Sequence, residues 1–227
     1  MALSYEYKQK EILLEEALPS RNPFVWFDLW FKQISSDAEL LYEEANACVL
    51  CTASGDGKPS CRMVLLKGYS EEGFQFFTNY NSRKGRDLEA NPHAAIMFYW
   101  AKPRRSIRIE GTVRKLSAAV SDDYWVRRPP DSQLSAAISQ QSSPVPSRQY
   151  LCECVERLKN QCKDQPVPRP DHWGGYLLEP ESFEFCEIQT GALDDRFQFR
   201  RRKTDERSLG PETKEGDKGW LIERLVP

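Results

Sequence analysis

The sequence predicts an α+β fold, mainly β: a barrel of six or more antiparallel strands under helical cover. Short β-rich runs recur along the chain, punctuated by Gly, Asp and Pro. Helical segments are interleaved with these runs, which suits a barrel with helices packed on it. The chain has 227 residues, 40% of them hydrophobic, enough for a substantial core.

The elements follow in order. Asn22-Pro23 starts a helix, with Asn22 as cap and Pro23 in the first turn. The run Phe24-Val25-Trp26-Phe27-Asp28-Leu29-Trp30-Phe31 is too aromatic for a surface helix and predicts burial. A second helix is expected over 37–44. Residues 47–54 and 60–67, around the turn Gly55-Asp56-Gly57-Lys58-Pro59, read as a hairpin. A third strand is expected at 73–78. Ser82 opens a short helix with a basic start, ended by Asn91-Pro92. Residues 93–100 read as a buried strand, and 106–115 as a strand alternating Ile107, Ile109 and Val113 with polar residues. Helices are expected at 118–127, 132–139 and 147–164, and a stiff proline-rich connector at 166–170. Strands at 173–178, 183–188, 196–201 and 220–225 close the fold, and the charged stretch 202–218 is expected to be a mobile loop. The chain divides into a partly flexible segment, 1–21, and a single domain, 22–227.

Composition excludes several classes. No apolar run approaches the roughly 18 residues of a membrane span, and the first ten residues lack the apolar stretch of a secretory signal. Lys and Arg number 32 against 34 Asp and Glu, so the net charge of −2 gives no general drive toward nucleic acid. With 6 Trp, 9 Tyr and 11 Phe the chain is too aromatic for disorder. Seven cysteines, an odd number without a signal peptide, read as reduced cytosolic thiols. Cys48 and Cys51 form a C-x-x-C pair, but inside an apolar strand-like run they read more readily as small hydrophobes. A thiol-redox role is the weaker alternative, and a structural zinc would need a second ligand pair. His93 and His172 have no metal-ligand spacing, so no metal site is expected and a histidine-centred triad is disfavoured.

No G-x-G-x-x-G follows a strand, and no Walker phosphate loop is present. Cationic side chains at strand ends and helix starts are the notable chemistry. Arg62 and Lys67 are five apart, so on an extended strand they face opposite ways and serve different partners or different parts of one pocket. Arg83-Lys84 at a helix start, with free backbone N–H groups, suits a phosphate; a solvated basic helix start fits the same residues. Tyr124 and Arg128 share a helix face, with Ser132 beyond Pro129-Pro130. They suit a second phosphate or, equally by spacing, a structural salt bridge. Gln141-Ser142-Ser143 adds an amide and hydroxyls.

The sequence resembles the pyridoxine/pyridoxamine 5′-phosphate oxidase family. The resemblance lies in Arg62-Met63-Val64-Leu65-Leu66-Lys67, Phe77-Thr78-Asn79-Tyr80-Asn81-Ser82-Arg83-Lys84-Gly85, Asn91-Pro92 and Phe98-Tyr99-Trp100. It continues in Arg108-Ile109-Glu110-Gly111, Gln140-Gln141-Ser142-Ser143, Trp173-Gly174-Gly175-Tyr176 and Trp220-Leu221-Ile222-Glu223-Arg224-Leu225. It runs from about Asn22 to Pro227. It implies an FMN-binding split β-barrel acting as a homodimer, with FMN at the subunit interface. It further implies oxidation of pyridoxamine or pyridoxine 5′-phosphate to pyridoxal 5′-phosphate. Hydride passes to the flavin and then electrons to oxygen, giving hydrogen peroxide in a cytoplasmic vitamin B6 salvage reaction. No nucleic-acid or membrane partner is implied.

Position by position, the resemblance assigns Arg62, Arg83 and Lys84 to the FMN phosphate and ribityl chain. Met63, Val64, Leu65, Phe77 and Thr78 become the flavin wall, and Gln141 and Ser142 flavin contacts. Arg196 becomes the catalytic flavin-side arginine. Lys67, Tyr124, Arg128 and Ser132 become the clamp on the substrate phosphate. The departures cluster near the reacting ring. Ala192 and Asp194 stand where the family carries an arginine and a histidine against the substrate ring. Cys186 replaces a tryptophan and Ser106 a glutamine, both flavin contacts, and Met1–Tyr5 lacks the arginine of the family's covering segment. The altered ring positions leave an alternative: a paralogue that binds FMN or pyridoxal 5′-phosphate without efficient turnover.

Overall fold

The computed structural model describes residues 12–36, 44–163, 165–190, 193–206 and 208–227. The segment Met1–Tyr5, most of the helix expected at 37–44, and Ala192 lie outside them.

Helix α1 (Pro23–Ser36) begins as its cap predicts: Asn22 Oδ1 accepts from the Phe24 N–H at 2.9 Å. Its aromatic face is buried. Trp26 stacks on Phe185 with ring centroids 4.3 Å apart, and Phe27 meets Phe74 and Phe98 edge-on. Each such ring contributes roughly 1.5–3 kcal/mol on burial, so α1 plugs the sheet rather than decorating it.

The sheet is antiparallel throughout. Strands β1 (Ala47–Ala53) and β2 (Pro59–Leu65) form the expected hairpin, its turn closed by Ser54 and Lys58 with Gly57 at φ +84°. Then come β3 (Gly68–Ser70), β4 (Gly73–Asn79), helix α2 (Arg83–Ala90), β5 (His93–Trp100) and β6 (Arg105–Lys115). Helices α3 (Ala118–Val126), α4 (Pro130–Ile138) and α5 (Arg148–Cys162) precede β7 (Trp173–Glu187), β8 (Asp195–Arg201), β9 (Thr213–Glu215) and β10 (Trp220–Arg224). Strand order is β2–β1–β5–β6–β7–β8–β10–β9, with β4 also on β7 and β3 on β4. Beyond β2 the chain turns back to β4, where the Lys67 N–H donates to Gln75 O at 2.8 Å and closes the ring.

Strand β7 explains why this barrel is split. One edge pairs with β6 along its length, whereas the other pairs first with β4 (Trp173 to Leu178) and then with β8 (Ser182 to Glu187). The two strands expected at 173–178 and 183–188 are therefore one. Pro180, which has no N–H to donate, sits between the two partners, and a register shift at Glu110/Gly111 absorbs it. The expectation of a mobile loop over 202–218 also needs correction. Within it β9 pairs with β10, and Arg200 reaches Glu206 at 2.8 Å. The N-terminal segment is tied down from Leu13 onward: its N–H donates to Asp195 at 3.1 Å, and Glu15 pairs with Arg224 at 2.5 Å. None of the described helices is long and apolar enough to cross a membrane.

Candidate active site

Strands β2 and β4 and helices α3 and α4 enclose a cavity of about 520 Å³. Met63, Val64 and Leu65 form one wall, while Phe77 and Thr78 of β4 face Tyr124, Arg128 and Ser132. Lys67, Lys84 and Gln141 complete it, so residues from two separate sequence clusters share one chamber. Lys67, Lys84 and Arg128 line it, and among the described residues no carboxylate does. Such a cavity attracts anions.

Arg128 is braced by aromatic rings and not fully partnered. Its guanidinium lies 4.5 Å over the Trp173 ring and 5.2 Å over Trp125, and its Nη1 is buried without a hydrogen-bond partner. Burial lowers its pKa while Tyr124 opposes the shift. Phe77 stacks on Tyr124 at 4.0 Å and on Trp173 at 5.6 Å, making a rigid aromatic wall. Close packing sets Trp173: a Cβ on the neighbouring Gly174 would lie 2.1 Å from the Tyr80 hydroxyl.

A second group of cations sits at the start of α2. Lys84 Nζ donates to Gln141 Oε1 at 2.6 Å and to Thr78 Oγ1 at 3.2 Å. Burial, and then the charge of Arg62, lower the Lys84 amine to about 8. Arg62 is lowered chiefly by burial, with Arg83 adding repulsion and Asp87 opposing it. Three cations thus crowd together with one nearby carboxylate, Asp87, 3.8 Å from Arg62. The backbone contributes less than the sequence suggested. Ser82 Oγ accepts from Gly85 N–H at 3.2 Å, and Ser142 Oγ accepts from Arg83 N–H at 3.1 Å, so those N–H groups are occupied. An anion here would meet the cationic side chains rather than those N–H groups.

The main chain of β2 offers a third element. Leu50–Arg62 and Cys48–Val64 are the hydrogen-bonded pairs with β1, so the N–H and C=O groups of Met63 and Leu65 point away from it at an open strand edge. They can read the polar rim of a planar heterocycle.

The chamber does not take in every expected residue. Arg62 bonds Leu50 O and Thr52 Oγ1 and does not line the cavity, nor do Arg83 and Ser142, while Lys67 does so from beyond the end of β2 at Leu65, so strand alternation does not set its direction. Ser106, Cys186 and Arg196 form a row across β6, β7 and β8. Cys186 and Trp173 are at opposite ends of β7, roughly 40 Å apart along the strand. In that row Arg196 is paired with Glu184 at 2.7 Å. Burial, and then the Asp194 charge, raise the Cys186 thiol. Sequence reasoning missed Asp87 and Asn79. It saw Trp173 only as part of a motif, although it is the surface on which Arg128 rests.

Comparison with known proteins decides the family. Residues 35–162 match the family described as pyridoxamine 5′-phosphate oxidase, and 173–227 match the pyridoxine 5′-phosphate oxidase C-terminal dimerisation region. The chain belongs to the pyridoxamine 5′-phosphate oxidase family. It is 44% identical over 218 residues to the pyridoxine-5′-phosphate oxidase of Bos taurus, covering 96% of this chain and 83% of that one. It is 47% identical over 225 residues to the pyridoxine/pyridoxamine 5′-phosphate oxidase of Bombyx mori, covering 98% and 87%. Among solved structures, PhzG from Burkholderia lata, in complex with tetrahydrophenazine-1-carboxylic acid, superposes with a TM-score of 0.81 at 25% identity. It covers 97% of this chain and all of that one.

Asp194 is engaged locally: its Oδ1 accepts from the Gln189 N–H at 2.9 Å, which turns the chain between β7 and β8. The residues present fit a phosphorylated flavin. The buried, lowered amine of Lys84, the orphaned Arg128 nitrogen and the open β2 edge are each completed by an anion or a heterocycle. Among the described residues no group of three or more His, Cys, Asp or Glu could hold a metal ion.

Proposed function

We propose that this protein is an FMN-dependent flavoprotein oxidase that converts pyridoxamine or pyridoxine 5′-phosphate to pyridoxal 5′-phosphate with oxygen as acceptor. It works as a cytoplasmic homodimer in vitamin B6 salvage. The observation that carries this reading is one cavity lined by Lys84 on one side and by Lys67 and Arg128 on the other, with no acidic residue among its described lining residues.

FMN, when bound, supplies the hydride-accepting and oxygen-reducing chemistry that yields hydrogen peroxide. Arg62, Arg83 and Lys84 hold its phosphate, with Gln141 and Ser142 beside them. The backbone of Met63 and Leu65 orients the flavin rim. Lys67, Arg128, Tyr124 and Ser132 clamp the substrate phosphate. Because Arg128 is braced on two indoles, little freedom is lost when it engages. The wall of Phe77, Tyr124 and Trp173 keeps water from the reacting carbon.

Two features support the dimer. The outer face of β2 and β5 exposes Met63, Leu65, Met97 and Tyr99, an apolar surface suited to a second copy. The Ser106–Cys186–Arg196 row lies too far along β7 to reach its own chain's cavity, so a second copy supplies it. Arg196 then places positive charge by the flavin ring, moderated by Glu184.

The test is direct. The purified protein carries flavin absorbance or takes up FMN, and pyridoxamine 5′-phosphate under air then produces peroxide. A colourless protein that cannot be reconstituted would sink the reading. The second reading, ligand binding without efficient turnover, rests on Ala192 and Asp194 in the ring-contacting positions. Saturable pyridoxal 5′-phosphate binding with negligible peroxide would favour it.

A further inference from the structure

Cys51 and Cys61 are direct partners across the β1–β2 hairpin. The C-x-x-C pair of the sequence is not a pair in space: Cys48 and Cys51 lie three apart on a strand and face opposite sides. Cys48 is buried, its Sγ 3.7 Å from Val64 O, and burial pushes its thiol up to about 12. Cys51 instead looks outward, half-buried, beside the exposed Cys61; the pair lies on the same face as Met63 and Met97, at the end of that proposed dimer surface nearer the hairpin turn.

The hairpin's hydrogen-bond parity fixes their geometry. Ser54 N–H donates to Lys58 O at 3.0 Å near the turn, and Leu66 N–H donates to Asn46 O at 2.8 Å at the far end. Bonded and non-bonded pairs alternate between them, so Cys51–Cys61 is a non-hydrogen-bonded pair. At such positions the Cα atoms stand about 4.5 Å apart and the side chains close together. That lies within the ~4.4–6.8 Å range that a disulfide spans. The two thiols are in hydrogen-bonding contact; burial, and then the neighbouring Cys61, raise the Cys51 thiol, with Arg62 opposing, so the exposed Cys61 is the partner placed to react first.

We infer that Cys51 and Cys61 are a peroxide-sensitive dithiol that closes to a disulfide across the β1–β2 hairpin. The Cys61 thiolate attacks one oxygen of hydrogen peroxide, the O–O bond breaks, and the leaving hydroxide takes a proton to become water. Cys51 loses its proton and attacks the Cys61 sulfur; the S–S bond forms, the S–O bond breaks, and a second water leaves. The thiols lose two electrons and two protons, and one peroxide becomes two waters. The link fixes β2, whose next residues are the Arg62 grip and the Met63–Leu65 wall. The source of peroxide rests on the proposed oxidase reaction; the dithiol itself does not.

The test uses the full chain loaded with FMN. It is treated with a slight excess of hydrogen peroxide, alkylated, digested without reductant and mapped by mass spectrometry. The expected product is a linked Cys51–Cys61 peptide pair, lighter by two hydrogens than the separate thiols and reopened by dithiothreitol. Cys61→Ser and Cys51→Ser each abolish it, and Cys152→Ser, on the exposed α5, keeps it. Separate alkylation of Cys51 and Cys61 after treatment overturns the inference, as does a link from either to another cysteine or another chain. A parallel sample receives pyridoxamine 5′-phosphate and air instead of peroxide. Linkage with added peroxide alone upholds the dithiol and counts against the oxidase reading.

Discussion

Two groups of cations in this protein have opposite surroundings. At the far end of the sheet, Arg200 is held by Glu206 at 2.8 Å and Glu223 at 2.6 Å, and Arg224 by Asp195 at 2.8 Å. In the cavity, Arg128 keeps a buried nitrogen unpartnered, and the Lys84 amine bonds only neutral oxygens. Paired cations stabilise the fold, whereas buried cations without an anion are destabilising until a ligand supplies one. The contrast separates structural from functional arginines where composition alone cannot.

Substitutions on the two sides therefore give different readouts. The largest effect is expected from Arg128→Met. Losing a charge-assisted phosphate contact of about 2–3 kcal/mol raises KM for pyridoxamine 5′-phosphate roughly a hundredfold. Steady-state kinetics checks this, and kcat should change less. An unchanged KM would move Arg128 into the structural group.

Next comes the altered ring pocket. Ala192→Arg with Asp194→His restores two donors and removes a negative charge, so kcat should rise about tenfold. Single-turnover flavin reduction measures it. Unchanged, already brisk turnover would show that other residues do this work.

Lys84→Met should weaken FMN about tenfold at neutral pH, read by flavin fluorescence. The wild-type pH profile carries a sign. With the free amine near 8 and raised once a phosphate binds, this amine's contribution to affinity is full below pH 8 and falls as pH rises above it. Lys84→Met should remove that fall.

The smallest effect belongs to the paired side. Arg200→Met should cost about 1–2 kcal/mol of stability, discounted for partial exposure, and leave FMN affinity unchanged. Thermal unfolding with and without FMN checks both statements. Arg200 holds the Glu223 carboxyl below its ordinary 4.5, so this contribution is full above that pH. It is lost as pH falls through the lowered value, and Arg200→Met should flatten that acid limb.

Much of the fold was legible because local signals agreed with the final structure. Asn22 and Ser82 cap the helices expected of them, and Gly57 sits in the expected turn. Illegible features were those set by partners distant in the chain. Pro180 looks like the end of a strand until β4 and β8 are seen to share one edge of β7. The short β9 has no periodicity of its own and exists because β10 pairs with it.

The candidate site shows the same division. Residue types and order determined the phosphate-binding chemistry, since guanidinium, amine and hydroxyl groups in those motifs act wherever the chain places them. Tertiary structure decided which cations stay unpaired, because pairing depends on carboxylates remote in sequence, such as Glu206 and Glu223 for Arg200. It also decided that Cys51 answers to Cys61 rather than Cys48, because a strand turns neighbours to opposite faces while a hairpin brings distant residues side by side.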